Sequence, residues 1–200
     1  MLITLADAKA YLGILTADTD NDDILTGMIN AVGTQFDNYT DRELEASDYT
    51  IQIDGNGLDH IFLRNYPINE ITSIHIDADR VFGDDSEITS DYYVKYDNDG
   101  EIALVSSSFW GGVLPKVRQS VKIVANLGYT VTAPITLPAD IIKACKDQVK
   151  YLYRKWNNNE EGVSSYSATN SSITITEDTG LITMVKKVLD KYVSRYHGCL

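Results

Sequence analysis

The 200-residue chain reads as an α+β protein, mainly a helical bundle of four helices with an inserted small antiparallel β-sheet or barrel. Three observations predict this. Apolar residues recur at three- and four-residue steps near both ends of the chain, which is the signature of amphipathic helices. Between about residues 48 and 126 the period drops to two, in short runs punctuated by Gly, Asn and Asp. No helical pattern separates those runs, so the strands are expected to pair antiparallel. Residues 1–47 and 138–200 are thus expected to form a helical domain, and 48–137 an inserted β subdomain.

The first helix is expected over 4–12, with Thr4 as N-cap, Ala6, Ala8 and Ala10 favouring helix, and Gly13 ending it. Asp18-Thr19-Asp20-Asn21-Asp22-Asp23 follows, an acidic loop suited to capping the next helix and complementing its dipole. The second helix spans about 21–39, with Ile24, Leu25, Met28, Ile29, Val32, Phe36 and Tyr39 on one face. Tyr49, Ile51 and Ile53 then alternate with polar residues, Gly55-Asn56-Gly57 supplies a turn, and Ile61 and Leu63 mark a return strand. Further strands are predicted at 71–76, 92–96, 102–105 and 120–125, the middle two joined by the turn Asp97-Asn98-Asp99-Gly100.

Leu137-Pro138-Ala139-Asp140 opens the third helix, with Pro near the first turn, where its missing N–H does no harm. Ile141, Ile142, Cys145, Val149, Leu152, Tyr153 and Trp156 share a face, and Ile142 and Leu152 are expected in the core. Residues 157–180 are polar and are expected to form a mobile loop, with one alternating patch at Ile173-Thr174-Ile175-Thr176. The fourth helix is expected over 181–196, with Leu181, Val185, Val188, Leu189, Tyr192 and Tyr196 on one side.

Charge is spread unevenly within the total of −12. Residues 1–137 carry a net −14, 138–156 a net +3, 157–180 a net −4 and 181–200 a net +3. An acidic body argues against general nucleic-acid binding, which needs a broad basic face. It suits electrostatic pairing between copies. Thirteen tyrosines against four phenylalanines supply side chains suited to surfaces that become buried on assembly. There is no apolar run long enough for a membrane span and no leader pattern at the N-terminus, so a reducing cytoplasm is the expected compartment during synthesis.

Catalytic and metal motifs are missing from the pattern. The acidic loop starts like a calcium loop, but Asp23 stands where Gly is needed and Ile29 where a bidentate Glu is needed. His60, His75 and His197 have no Cys or His at ligand spacing. Cys145 and Cys199 form neither a disulfide framework nor a zinc site. No nucleophile elbow and no P-loop is present. Catalytic residues, metals and cofactors are accordingly expected to be none.

Five stretches resemble the head–tail connector (adaptor, head-completion) proteins of tailed bacteriophages. Leu5-Ala6-Asp7-Ala8-Lys9-Ala10-Tyr11-Leu12 is similar to that family's opening L-x-E-A-K-x-x-L, and Asp22-Asp23-Ile24-Leu25 to its D-D-x-x-I. Tyr39-Thr40-Asp41-Arg42 resembles its aromatic-T-G-R turn. Leu63 to Ile68 with Ile71-Thr72-Ser73-Ile74 resembles L-x-x-x-P-I-x-x-I-x-S-I, and Pro138 to Ala144 leading to Tyr151–Arg154 resembles P-x-D-I-x-x-A…Y-x-x-R. The resemblance covers about 4–156, and 181–196 more loosely. Asp7 replaces the usual Glu, Asp41 the usual Gly, and the last loop is long.

The resemblance implies a non-enzymatic virion protein. Such proteins form a ring with their own copies, usually twelve, beneath the portal protein. The ring extends the DNA channel and docks a neck stopper or tail-completion protein, with duplex DNA only as passing cargo and no membrane partner. Competing readings are a tail-completion or terminator ring, a small carboxylate-dependent hydrolase, and a carbohydrate-binding module. Partner contacts are expected at Ile173 and Ile175, whose alternation suits strand addition. They are also expected at Lys186, Lys187, Lys191, Tyr192, Arg195 and Tyr196 on the last helix.

Overall fold

The computed structural model describes residues 1–105, 109–158, 165–168, 171–174 and 180–194. The chain divides into two compact units, one built from Met1–Arg42 and Thr130–Val193, the other from Glu43–Tyr129.

The first unit holds α1 (Leu5–Leu12), α2 (Asp22–Thr40), α3 (Ala139–Asn157) and α4 (Thr183–Leu189). α3 packs against each of the other three. Its inner stripe is Ile141, Ala144, Cys145, Gln148 and Val149, facing Leu25, Ile29, Val32 and Phe36 of α2 and Val185 and Leu189 of α4. Each of these large side chains, taken wholly out of water, stabilises the fold by roughly 1.5–3 kcal/mol. Ile142 and Leu152 are only half-buried, so the core stripe lies a fraction of a turn from the one the spacing predicts. Gln148, a buried polar residue, stands in the middle of the true stripe.

The helix ends follow cap chemistry. Thr4 and Asp7 form a reciprocal capping box at the start of α1, and Gly13 ends it in the left-handed region (φ 77°). Asn21 makes no side-chain cap bond at α2, so the acidic loop does not cap that helix through a side chain, although Asp22 and Asp23 lie in its first turn. α4 is shorter than predicted. Leu181 is buried but precedes the helix, and Tyr192 follows it. Arg195 and Tyr196 lie outside the described residues.

The second unit contains β1 (Ser47–Ile53), β2 (His60–Phe62), β3 (Ile68–Ile76), β4 (Tyr93–Tyr96), β5 (Glu101–Leu104) and β6 (Val121–Leu127). They form two antiparallel three-stranded sheets, ordered β1-β6-β3 and β2-β5-β4, and no closed barrel. The strict alternation of β6 sets its inner face, Val121, Ile123, Ala125 and Leu127, into a core shared with Ile61, Ile102 and Leu104 of the other sheet. The Asp97–Gly100 turn joins β4 to β5 as the spacing predicts.

The hairpin expected around Gly55-Asn56-Gly57 does not form: β1 pairs with β6 and β2 with β5. Gly55 instead lies under the 115–117 loop. Its N–H donates to the Val117 carbonyl at 2.8 Å, and a Cβ there would stand 1.8 Å from the Pro115 oxygen. The glycine serves a close approach, not a turn type.

Within 157–180, where a loop is expected, β7 (Ser165–Ala168) and β8 (Ser171–Thr174) pair antiparallel as a sheet of their own. Tyr166 stands opposite Ile173. The rest of that expected loop, including Ile175, lies outside the described residues.

Candidate functional site

The residues expected to carry partner contacts sit in varied settings. Lys186 is tied down inside the helical unit. Its ammonium lies 3.2 Å from Asp190 and 5.3 Å from the centre of the Tyr39 ring, and the Tyr39 hydroxyl donates to the same Asp190. Hydrogen bonding with Tyr39 and with Asp190 holds the Lys186 ammonium above its usual range, and bonds from Tyr39 and then Lys186 hold the Asp190 carboxyl below its own. Lys191 reaches Asp140 at 3.3 Å, and the Tyr192 hydroxyl donates to the same carboxylate at 2.7 Å. Burial pushes the Asp140 carboxyl up, but the bonds from Tyr192 and Lys191 outweigh it and leave it lowered. Lys187 is exposed, and Ile173 is a member of β8. The structure thus uses Lys186, Lys191 and Tyr192 to fasten the C-terminal segment to α2 and α3.

The basic face of α3 is employed similarly. Lys143 pairs with Asp147 at 2.6 Å, and Lys146 with Asp7 at 3.2 Å. Lys150 stands 5.1 Å over the Tyr11 ring, whose hydroxyl donates to Asp147 at 2.5 Å. That bond pushes the Tyr11 hydroxyl up. These contacts hold α1 on α3.

Two sequence motifs find their physical role near the N-terminus. Lys9 is 3% exposed. Its ammonium donates to the Thr16 carbonyl at 3.2 Å, to the Asp18 carbonyl, and to the Asp22 carboxylate at 2.6 Å. The cation held by the acidic loop is therefore the chain's own lysine. Asp41, after α2, has φ 55°, the left-handed position at which glycine is favoured.

Gln148 carries a role that spacing alone did not single out. Its Nε2 donates to the Gly180 carbonyl at 3.0 Å, and its Oε1 accepts from the Ile182 N–H at 3.2 Å. It thereby fixes the strand-like segment before α4. The available signal was a polar residue seven positions after Ile141 and three after Cys145, on an otherwise apolar face.

Chemically the chain offers surfaces more than a reaction centre. Among the described residues no group of three His, Cys, Asp or Glu could hold a metal ion. Burial pushes the Cys145 thiol up to about 12, which removes thiolate chemistry near neutral pH. No described helix is long and apolar enough to cross a membrane. Among the described residues, each unit leaves an apolar surface open. In the helical unit, a cleft of about 500 Å³ lies between α2 and α3, lined by Ile24, Met28, Ala31, Leu152, Lys155 and Trp156. In the β unit, Tyr92, Val94 and Tyr96 are 37%, 48% and 49% exposed on and beside β4.

Comparison with known proteins gives these surfaces a context. The model of the head completion protein family matches residues 1–194. Among solved structures, a chain from the neck of an empty GTA particle computed with C6 symmetry is 16% identical, with a TM-score of 0.63 over 98% of this chain and 91% of that one. A chain from the virion of a native gene transfer agent (GTA) particle is 15% identical, with a TM-score of 0.62 over 98% and 91%. A chain from the neck of a native GTA particle computed with C12 symmetry is 16% identical, with a TM-score of 0.61 over 96% and 88%. At these identities the likeness is one of fold. A comparison with curated proteins finds no match. The chain belongs to the head completion protein family, and so to the structural proteins that connect head to tail in the phage virion.

Proposed function

We propose that twelve copies of this chain close into a ring beneath the portal, prolong the DNA channel, and present the docking face for a neck stopper or tail-completion protein. The observation that carries this reading is the family match over residues 1–194, which spans both units and leaves no separate module to explain. The C6 and C12 symmetries used for the necks that contain its structural neighbours support a ring of that number. The acidic body supports a bore that DNA passes without sticking, because phosphates are repelled by carboxylates. The reading assigns no catalysis to the chain.

Portal contact falls to the C-terminal portion of the chain: Ile173 of β8, Ile175 in the sequence after it, exposed Lys187, and Arg195 and Tyr196 near the end of the chain. Lys186, Lys191 and Tyr192 support this by fastening the segment around α4 to α2 and α3. The test is co-sedimentation of the chain with portal-bearing heads. The full chain is expected to bind, and variants lacking 163–178, or ending after Ser194, are expected to lose binding while keeping their thermal transition. Unchanged binding by both would move portal contact away from this portion. Binding to tail tubes in place of heads would replace the connector reading with that of a tail-terminator ring.

A further inference from the structure

The ring reading leaves open which surfaces of neighbouring copies meet, and two open apolar surfaces with opposite charge at their margins answer that. The α2–α3 cleft is apolar on both walls, through Ile24 and Met28 on one side and Leu152 and Trp156 on the other. Gly27 and Ala31 keep its α2 wall low, so a side chain from outside can enter between the helices. Lys155 lines it, Arg154 is exposed beside it, and α3 has no carboxylate after Asp147. Asp23, exposed at the start of α2, is the one opposing charge next to the lining residues in sequence.

The second surface is the outer face of the β2-β5-β4 sheet. The register puts Val94 opposite Ala103 and Tyr96 opposite Glu101, and the Val105 N–H donates to the Tyr92 carbonyl at 2.9 Å. Those residues share one side of the sheet, while Ile102 and Leu104 on the other side are buried. β4 is also the sheet's edge, with one row of backbone groups unpaired by any strand. Asp91, Asp97, Asp99 and Glu101 surround the stripe, and the single cation among them, Lys95, is paired with Asp97 at 2.8 Å.

Exposed tyrosines and valine in a row are surfaces that complexes bury. A basic-rimmed apolar cleft and an acidic-rimmed apolar ridge are complementary in shape and sign. From this, and resting on the ring reading, we infer that the two are the halves of one head-to-tail contact between copies. The Tyr92–Val94–Tyr96 ridge of each copy enters the α2–α3 cleft of the next. A contact between two different patches is heterologous, and its repetition builds a ring when the rotation from copy to copy closes, as the ring reading requires.

The test uses the full chain and two exposed-site variants, Ala31→Asp in the cleft wall and Val94→Asp in the ridge. Sedimentation velocity and negative-stain microscopy read the assembly, and thermal unfolding checks that each variant keeps the parent's transition. Each variant alone is expected to lose rings and to dissociate at least tenfold more readily than the parent. A mixture is expected to form dimers and no rings, since one ridge and one cleft survive in each pair. Lys155→Glu is expected to weaken assembly and to recover when mixed with Glu101→Lys. If the parent assembles and both aspartate variants assemble equally well, the contact is overturned while the ring reading stands. If the cleft variant forms rings but fails to attach to heads, the cleft serves the portal and the contact is overturned likewise. A parent that stays monomeric at its solubility limit and on heads would remove the ring reading and this contact together.

Discussion

Lys9 and Asp41 show how single residues in the motif stretches earn their places. The Lys9 ammonium satisfies three oxygens across the α1–α2 connection, at 3% exposure. Removing its charge leaves the Asp22 carboxylate, 27% exposed, without its cation. Breaking a buried pair from one side costs about 3 kcal/mol, so Lys9→Met is expected to lower urea-unfolding stability by about that amount. A loss below about 1 kcal/mol would mean that water replaces the ammonium easily. Asp7, in place of the usual Glu, still closes the capping box: its N–H donates to Thr4 Oγ1 at 3.1 Å and its carboxylate accepts from the Thr4 backbone N–H at 3.4 Å. Asp41, in place of the usual Gly, occupies a backbone position with φ 55° that aspartate tolerates better than most residues. Asp41→Gly and Asp41→Ala both delete the side chain's interactions, so their difference isolates the backbone. The glycine variant is expected to be about 1 kcal/mol more stable than the alanine variant. Equal stabilities would mean that the left-handed turn relaxes away.

The elements that periodicity encodes cleanly, α2 and β6, were legible because one face of each meets a core and the other meets water, whereas α1 was legible from its caps. Phe36 and Val32 on α2, or Ile123 and Ala125 on β6, could sit nowhere else. Pairing was less legible. β1 is followed by a glycine turn, and the nearest partner in sequence is β2, yet β1 pairs with β6, whose two edges take β1 and β3 together. Alternation declares which face is buried but not which neighbour completes the sheet. The start of α4 was also hidden, because it depends on Gln148 bonding to Gly180 and Ile182, a contact more than thirty positions away in the chain. Of the partner-contact residues, exposure of Lys187 was readable from helical spacing, whereas the ties of Lys186 to Tyr39 and of Tyr192 to Asp140 depend on tertiary placement. Gln148→Leu keeps the volume and strands two backbone groups. It is expected to cost about 2–3 kcal/mol and to expose the segment before α4 to limited proteolysis. A variant as protease-resistant as the parent would show that the helix start is fixed by Leu181, Val185 and Leu189 alone.

At the scale of the whole molecule, charge separates a channel protein from a nucleic-acid binder. The chain carries −12 in total, and residues 1–137, which include the whole β unit, carry −14. Much of the cationic charge of the helical unit is spent within it. Lys9, Lys143, Lys146, Lys186 and Lys191 each face an aspartate of that unit. Affinity for duplex DNA comes chiefly from phosphates neutralised by lysine and arginine, with release of condensed counterions. Cations already paired have little to offer for that exchange, and the surplus carboxylates repel the duplex over about one Debye length, roughly 8 Å at physiological salt. In the proposed ring, passing DNA would then meet a wall that neither grips nor stalls it. Fluorescence anisotropy with a short labelled duplex is expected to show no low-micromolar binding at about 0.15 M salt, for the free chain and for its assembled form. A salt-sensitive complex at that strength would place unpaired cations on the DNA path, and the acidic body would then face outward, toward neighbouring proteins, instead of lining the bore.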